Sequence, residues 1–243
     1  MNSRETAELA GRVALVTGAG RNIGRAIALS LADAGAAVVL NARSSRSEIE
    51  AVASEIKESL PFIADVTDDA AVRKMIEATL KRFGRLDILV NNAALRAVEP
   101  IESIDLKRWR EVTGVILDGA WNCARASLEA LKKSGGGSIV NIGGLSAHTG
   151  AAGRPHVVAA KEGLVGLTRA LAHDLAPHNV TVNCVVPGHI ETARTSPSAN
   201  HKASPLGRRG KPEEVAAAVR FLAGPGARYI TGAVLHVSGG AAA

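Results

Sequence analysis

The strongest constraint on this chain is the end-to-end alternation of short, uninterrupted apolar runs with longer helix-patterned stretches. Val13-Ala14-Leu15-Val16, Ala37-Val38-Val39-Leu40, Ile88-Leu89-Val90 and Ile139-Val140 are such runs. So is Val180-Thr181-Val182 with Cys184-Val185-Val186. A strand apolar at every position is buried on both faces, as in a parallel sheet covered by helices on each side. Pro61-Phe62-Ile63-Ala64 and Val234-Leu235-His236-Val237 are weaker candidates, bringing the expectation to about seven strands. Helical patterns fill the gaps. Residues 23–34 carry Ile23, Ile27, Leu29 and Leu31 ahead of Gly35. Thr67-Asp68-Asp69 is a helix start with negative charge at the positive end of the dipole. Residues 104–133 read as one long helix ending at the Gly135-Gly136-Gly137 breaker. Pro155 opens a helix at its first turn, Pro177 marks its end, and Pro212-Glu213-Glu214 opens the last helix. No internal repeat, low-complexity linker or shift in composition interrupts the pattern. The expectation is a single doubly wound α/β domain over residues 1–243.

Composition excludes several function classes. No run of about 18 apolar residues is present, so no membrane-spanning helix is expected. Met1 to Gly11 contains Arg4, Glu5 and Glu8 and lacks the apolar stretch of a signal peptide. The two cysteines, Cys123 and Cys184, have neither metal nor redox spacing, which points to a reduced cytoplasm and no metal site. The net charge of +6 is scattered, and no aromatic is interleaved with a basic cluster. A nucleic-acid partner is therefore not expected, whereas an anionic small-molecule ligand suits the charge.

Between the first strand and first helix stands Thr17-Gly18-Ala19-Gly20-Arg21-Asn22-Ile23-Gly24. A glycine-rich turn there lets backbone amides approach a pyrophosphate, and the helix N-terminus favours its charge. The spacing departs from the usual dinucleotide fingerprint, which needs glycine at Ile23.

Here the chain resembles the short-chain dehydrogenase/reductase family and its 3-oxoacyl-carrier-protein reductase-like branch. The family loop, Thr-Gly-x-x-x-Gly-x-Gly, is matched at Thr17, Gly18 and Gly24. Asn22 replaces the middle glycine, and asparagine tolerates left-handed backbone better than most residues. Asp65-Val66 looks like the adenine-binding pair after the third strand, and Asn91-Asn92-Ala93-Ala94 is similar to Asn-Asn-Ala-Gly after the fourth. Pro187-Gly188-His189-Ile190-Glu191-Thr192 resembles the nicotinamide-side motif. Leu206-Gly207-Arg208, Pro212-Glu213-Glu214-Val215 and Tyr229-Ile230-Thr231-Gly232 match the C-terminal signature. The resemblance implies a Rossmann-like fold and a nicotinamide cofactor. It also implies a homo-oligomer, dimer or tetramer, through a seam over Pro212 to Gly224 and Tyr229 to Gly240.

The second strand ends Asn41-Ala42-Arg43-Ser44-Ser45. An acid here would bind the adenosine ribose and repel a 2′-phosphate. Ala42 occupies the family's position for that acid. Arg43 follows, whose guanidinium grips a phosphate with paired hydrogen bonds, and Ser44 adds another donor. The expectation is NADP(H) before NAD(H).

The family's proton relay is a tyrosine four residues before a lysine, a serine thirteen before the tyrosine, and an asparagine on the preceding helix. Positions four apart share a helix face, so lysine and tyrosine act on one ligand. The resemblance places the lysine at Lys161, but Val157 stands four before it, Gly144 thirteen before that, and Ile116 at the asparagine. The only tyrosine, Tyr229, belongs to the C-terminal motif. Candidate replacements are His156, whose ordinary pKa near 6.5 suits proton transfer, and Ser146 and His148 in the loop after the fifth strand. The plainer readings are a partly exposed His156 in a first helical turn and ordinary loop polarity for the other two. Arg154 shares a face with Lys161 only if the helix reaches back past Pro155. The segment 193–207 is expected to be a short polar substrate lid. His201, Lys202, Arg208, Arg209 and Lys211 lie near it, as an anion-binding patch or a solvated face. Two functions remain open: an NADP(H)-dependent oxidoreductase with an unusual proton donor, and a catalytically silent nucleotide-binding homologue serving as sensor or partner subunit.

Overall fold

A computed structural model of the protein describes residues 7–192 and 204–241. Seven parallel strands form one sheet in the order β3-β2-β1-β4-β5-β6-β7. They are β1 (Val13–Val16), β2 (Ala37–Ala42), β3 (Ser59–Ile63), β4 (Ile88–Asn91), β5 (Ser138–Ile142), β6 (Thr181–Pro187) and β7 (Val234–Val237). All five continuous apolar runs became strands, and both weaker candidates joined them. The reason is visible in β1: Ala14 and Val16 enter the apolar layer on one face, Val13 and Leu15 that on the other.

The first layer is closed by α1 (Asn22–Asp33), α2 (Arg46–Ser54) and α8 (Pro212–Ala223), through Ile27, Leu31, Ile49, Val215 and Val219. The opposite layer takes Val72 and Met75 of α3 (Asp69–Phe83), Cys123 and Leu131 of α5 (Gly119–Lys133), and Leu171 and Leu175 of α7 (Pro155–Leu175). Asp68 caps α3 as its residue type predicts, accepting from the amides of Ala70 at 2.9 Å and Ala71 at 3.1 Å. Pro155 is the first residue of α7, and a 3₁₀ turn at Ala176–His178 follows the helix around Pro177.

Two expectations change. The expected helix over 104–133 is not one α-helix. A turn of 3₁₀ helix (Ile101–Ser103) precedes α4 (Leu106–Thr113), and a π-helical segment (Gly114–Asp118) joins α4 to α5. Close packing accompanies the widened turn: a β-carbon on Gly119 would lie 2.5 Å from Val66 Cγ2. Second, Ser146 and His148 lie not in a loop but on a short helix, α6 (Leu145–Thr149). Residues 193–203 of the expected lid lie outside the described residues, His201 and Lys202 among them; Ser204, the first described residue after them, is buried and donates to the Arg208 carbonyl at 3.0 Å. Among the described residues, no helix is long and apolar enough to cross a membrane.

Candidate functional site

In the strand order, β1 and β4 are neighbours although two strands separate them in sequence. Loops leaving their carboxyl ends diverge there, and such a switch point opens a crevice. Thr17 ties the two loops together. Its Oγ1 accepts from the amides of Asn92 at 2.9 Å and Ala93 at 3.0 Å and donates to the Val90 carbonyl at 3.3 Å. Asn92 Nδ2 returns the link, donating to the carbonyls of Thr17 at 2.9 Å and Gly18 at 3.0 Å.

The loop's unusual residues suit their conformations. Gly18 has φ +63° and Asn22 φ +50°, so the asparagine occupies the left-handed region expected of a glycine substitute. A β-carbon on Gly24 would stand 2.1 Å from the Gly18 oxygen, so only glycine lets α1 begin this close to the loop. Arg21, the N-cap of α1, makes no side-chain cap bond.

Gly18, Arg21, Arg43, Ser44, Asp65, Val66 and Ala93, seven of the expected cofactor contacts, line one open cleft of about 190 Å³ beside this loop. Arg43 and Ser44 are exposed at the mouth, past the end of β2. Asp65 Oδ1 accepts from the Thr67 amide at 2.9 Å and its hydroxyl at 2.8 Å, which fixes the turn after β3. Asn122 holds the Val66 carbonyl at 3.0 Å. Asn22, Ile23, Gly24 and Asn92 act behind the cleft, shaping the loop. The sequence reading missed Thr17 as the hub, and it missed Gly20, Ser45 and Glu48 as cleft residues.

The other expected positions lie further along the sheet. Pro187 ends β6, the Gly188 amide donates to Val237 at 2.9 Å, and buried Ile190 bridges to Gly210. Thr192 is the last described residue before 193. Lys161 is buried on α7, and its Nζ donates to the Ile142 carbonyl at the end of β5. Burial pushes its pKa down to about 8, with the Arg96 charge acting in the same direction. A polar ladder holds α7 against the sheet. Asn91 Nδ2 donates to Asn141 Oδ1 at 2.9 Å, and Asn141 Nδ2 to Thr168 Oγ1 at 2.9 Å.

The residues at the family's other relay positions are apolar. Ile116 of the π-helical segment, Ala97, Val112 and Ala160 form a buried cluster, with Leu95 and Val157 packed against it. Gly144 leaves an extended backbone, φ −178°, 4.0 Å from Lys161 Cγ when a β-carbon is built on it. His156 corrects the expectation of partial exposure. It is fully buried, and Nε2 faces Glu99 Oε2 at 3.5 Å. Glu99 is gripped by Arg108 at 2.7 Å, which lowers its pKa. The fold of the β4–α4 connection over α7 encloses the imidazole, and neither nitrogen has a hydrogen-bond partner. His148 meets the His236 ring edge-on at 4.7 Å, with Nδ1 3.9 Å from Glu162 Oε2. Arg154 is only the N-cap of α7, so the helix face of Lys161 does not extend to it. Arg208 is paired with Glu214 at 2.6 Å. Among the described residues, no group of histidine, cysteine or carboxylate side chains could hold a metal.

A family model described as enoyl-(acyl carrier protein) reductase matches residues 18–242. A 3-oxoacyl-(acyl-carrier-protein) reductase of Synechocystis is 40% identical over 243 aligned residues, covering 96% of this chain and 97% of that protein. This chain belongs to the short-chain dehydrogenase/reductase family. The corresponding reductase of Pseudomonas aeruginosa is 40% identical, with 96% and 98% covered. A solved short-chain dehydrogenase/reductase of Serratia marcescens, in a doubly substituted form, superposes with a TM-score of 0.91 at 36% identity. It covers 97% of this chain and all of that one. The family match spans the cleft, Lys161 and the C-terminal strand alike.

Proposed function

We propose that this short-chain dehydrogenase/reductase binds NADP(H) in the β1/β4 cleft, with NAD(H) as the weaker ligand. It interconverts a small carbonyl compound and its alcohol without a phenol as proton donor. The cleft carries this reading. Its glycine turn admits a close backbone approach at Gly18 and Gly24, and its mouth offers Arg43 and Ser44 instead of an acid. The same features suit a phosphorylated dinucleotide. A bound nicotinamide supplies or accepts hydride. The chain's own residues do the rest. The α1 amides and Gly18 would hold the pyrophosphate, Asp65 and Val66 the adenine, and Lys161 the nicotinamide ribose. Pro187, Gly188, Ile190 and Thr192 flank the nicotinamide.

The proton donor is unusual because Ile116 and Val157 place hydrocarbon where the family resemblance calls for amide and phenol. His156, enclosed behind Glu99, reaches no ligand without moving. That leaves solvent water or the α6 side chains His148 and Ser146. The names of the relatives point to 3-oxoacyl thioesters as substrates, and the short polar stretch 193–207 argues for short acyl chains. Exposed Leu206, Phe221, Tyr229 and Leu235 around α8 and β7 support assembly into a dimer or tetramer.

The same apolar cluster favours a second reading, a nucleotide-binding subunit without turnover. Val157→Tyr combined with Gly144→Ser divides the two. NADPH consumption is followed with a simple ketone and with a short 3-oxoacyl thioester. General acid catalysis is worth about 10²–10⁴-fold, and Ile116 still interrupts the relay, so a gain of about tenfold or more is expected. A folded variant that binds NADPH and shows no gain over its parent supports the silent subunit instead.

A further inference from the structure

We propose that Glu48 limits how strongly this protein prefers NADPH to NADH, by competing with the 2′-phosphate for Arg21. The inference rests on the cofactor reading above. Glu48 lines the same cleft as Arg21, Arg43 and Ser44. Its Oε1 lies 3.5 Å from Arg21 Nη1. The side chain also leans on the glycine loop, where a β-carbon built on Gly20 would be 2.9 Å from Glu48 Cβ and 3.1 Å from Oε2. Glycine at position 20 is what admits the carboxylate to this wall.

Local sequence argues for a different posture. Ser45-Arg46-Ser47-Glu48 has the spacing of a capping box, in which the glutamate folds back onto its own helix start. In the structure Ser45 makes no side-chain cap bond, and Glu48 turns instead to Arg21 on the adjoining glycine loop. Glu50, two residues on, pairs with Arg46 and does not line the cleft.

A carboxylate in this position acts in two ways. It holds Arg21 in an ion pair that a 2′-phosphate must break, and it adds negative charge to the subsite where the phosphate sits. Both effects weaken NADPH, whereas NADH, with a neutral ribose hydroxyl, feels neither. The Arg21 and Glu48 side chains are 54% and 40% exposed, so the pair is weak and readily exchanged. Glu48 is thus a counterweight to Arg43: one draws the phosphate in, and the other keeps selectivity moderate.

The test compares dissociation constants for NADPH and NADH, by nucleotide fluorescence, in the parent, Glu48→Gln and Glu50→Gln. Glu48→Gln is expected to tighten NADPH by about fivefold and leave NADH within about twofold, a shift on the scale of an exposed ion pair. Glu50→Gln leaves the ratio unchanged. Glu48→Ala, which removes the carboxylate by truncation, must move the ratio in the same direction, so a poorly folding glutamine variant does not decide the matter. A purely structural role for Glu48 would weaken both nucleotides together and leave the ratio alone. An unchanged ratio in both variants, or a selective loss of NADPH, overturns the proposal. A parent that binds neither nucleotide overturns the cofactor reading, and this proposal with it.

Discussion

Lys161→Met should change the pH dependence of folding stability in a way no other residue reproduces. Lys161 is enclosed between α7 and the end of β5, where burial pushes its pKa from the ordinary 10.5 to about 8. The folded chain therefore releases this proton near pH 8, while the unfolded chain holds it until about 10.5. Between those values the unfolded state binds more protons, so the free energy of unfolding rises with pH. Each pKa unit is worth about 1.4 kcal/mol, so the full rise is about 3.5 kcal/mol. Below about pH 7 both states carry the charge, and the folded state bears the whole desolvation cost. Methionine keeps the length of the side chain and removes the charge. Urea unfolding of parent and variant, at a series of values from about pH 7 to pH 10, isolates this residue, because other titrating groups cancel in the difference. Relative to the variant, the parent should gain about 2.5 kcal/mol across the series. Parallel curves would mean that Lys161 titrates like an exposed lysine, and the picture of an enclosed cation at the site would fail.

Gly24→Ala should abolish nucleotide binding and lower stability by more than about 2 kcal/mol, because the added carbon meets the Gly18 oxygen at 2.1 Å; a melting temperature equal to that of the parent would refute this. Light scattering at micromolar concentration should give the mass of a dimer or tetramer, since Tyr229, Phe221 and Leu235 are otherwise left in water. A monomer would count against the seam over α8 and β7.

Much of the fold could be read from residues alone, for a physical reason. Runs such as Val13–Val16 are apolar on both faces, and only a doubly covered sheet uses both. Asp68 announced α3 because its cap is made within three residues. The misses are places where distant contacts decide. Nothing local marks the π-helical turn at Gly114–Asp118, beside which Gly119 packs tightly against Val66. Short α2 went unmarked, with only Ile49 and Val52 buried among its nine residues. His156 lies one position from Val157 in the first turn of α7. Its burial depends on Glu99 and Arg108, which arrive from another part of the chain. The glycine loop and Arg43 were legible because backbone approach and charge are properties of single residues. Glu48 carried a misleading signal: its capping-box spacing predicts a local bond, and a contact with Arg21 on the glycine loop takes its place.

The central claim is that the β1/β4 cleft takes a nicotinamide nucleotide and that Arg43 selects the phosphorylated form. Fluorescence titration of the parent and of Arg43→Ala with NADPH and with NADH tests it most directly. The parent should bind NADPH at least about tenfold more tightly than NADH, the scale of a charged hydrogen bond. Arg43→Ala should remove most of that difference by weakening NADPH alone. Equal affinities in the parent, a preference for NADH, or an Arg43→Ala variant that keeps the full preference would contradict the account.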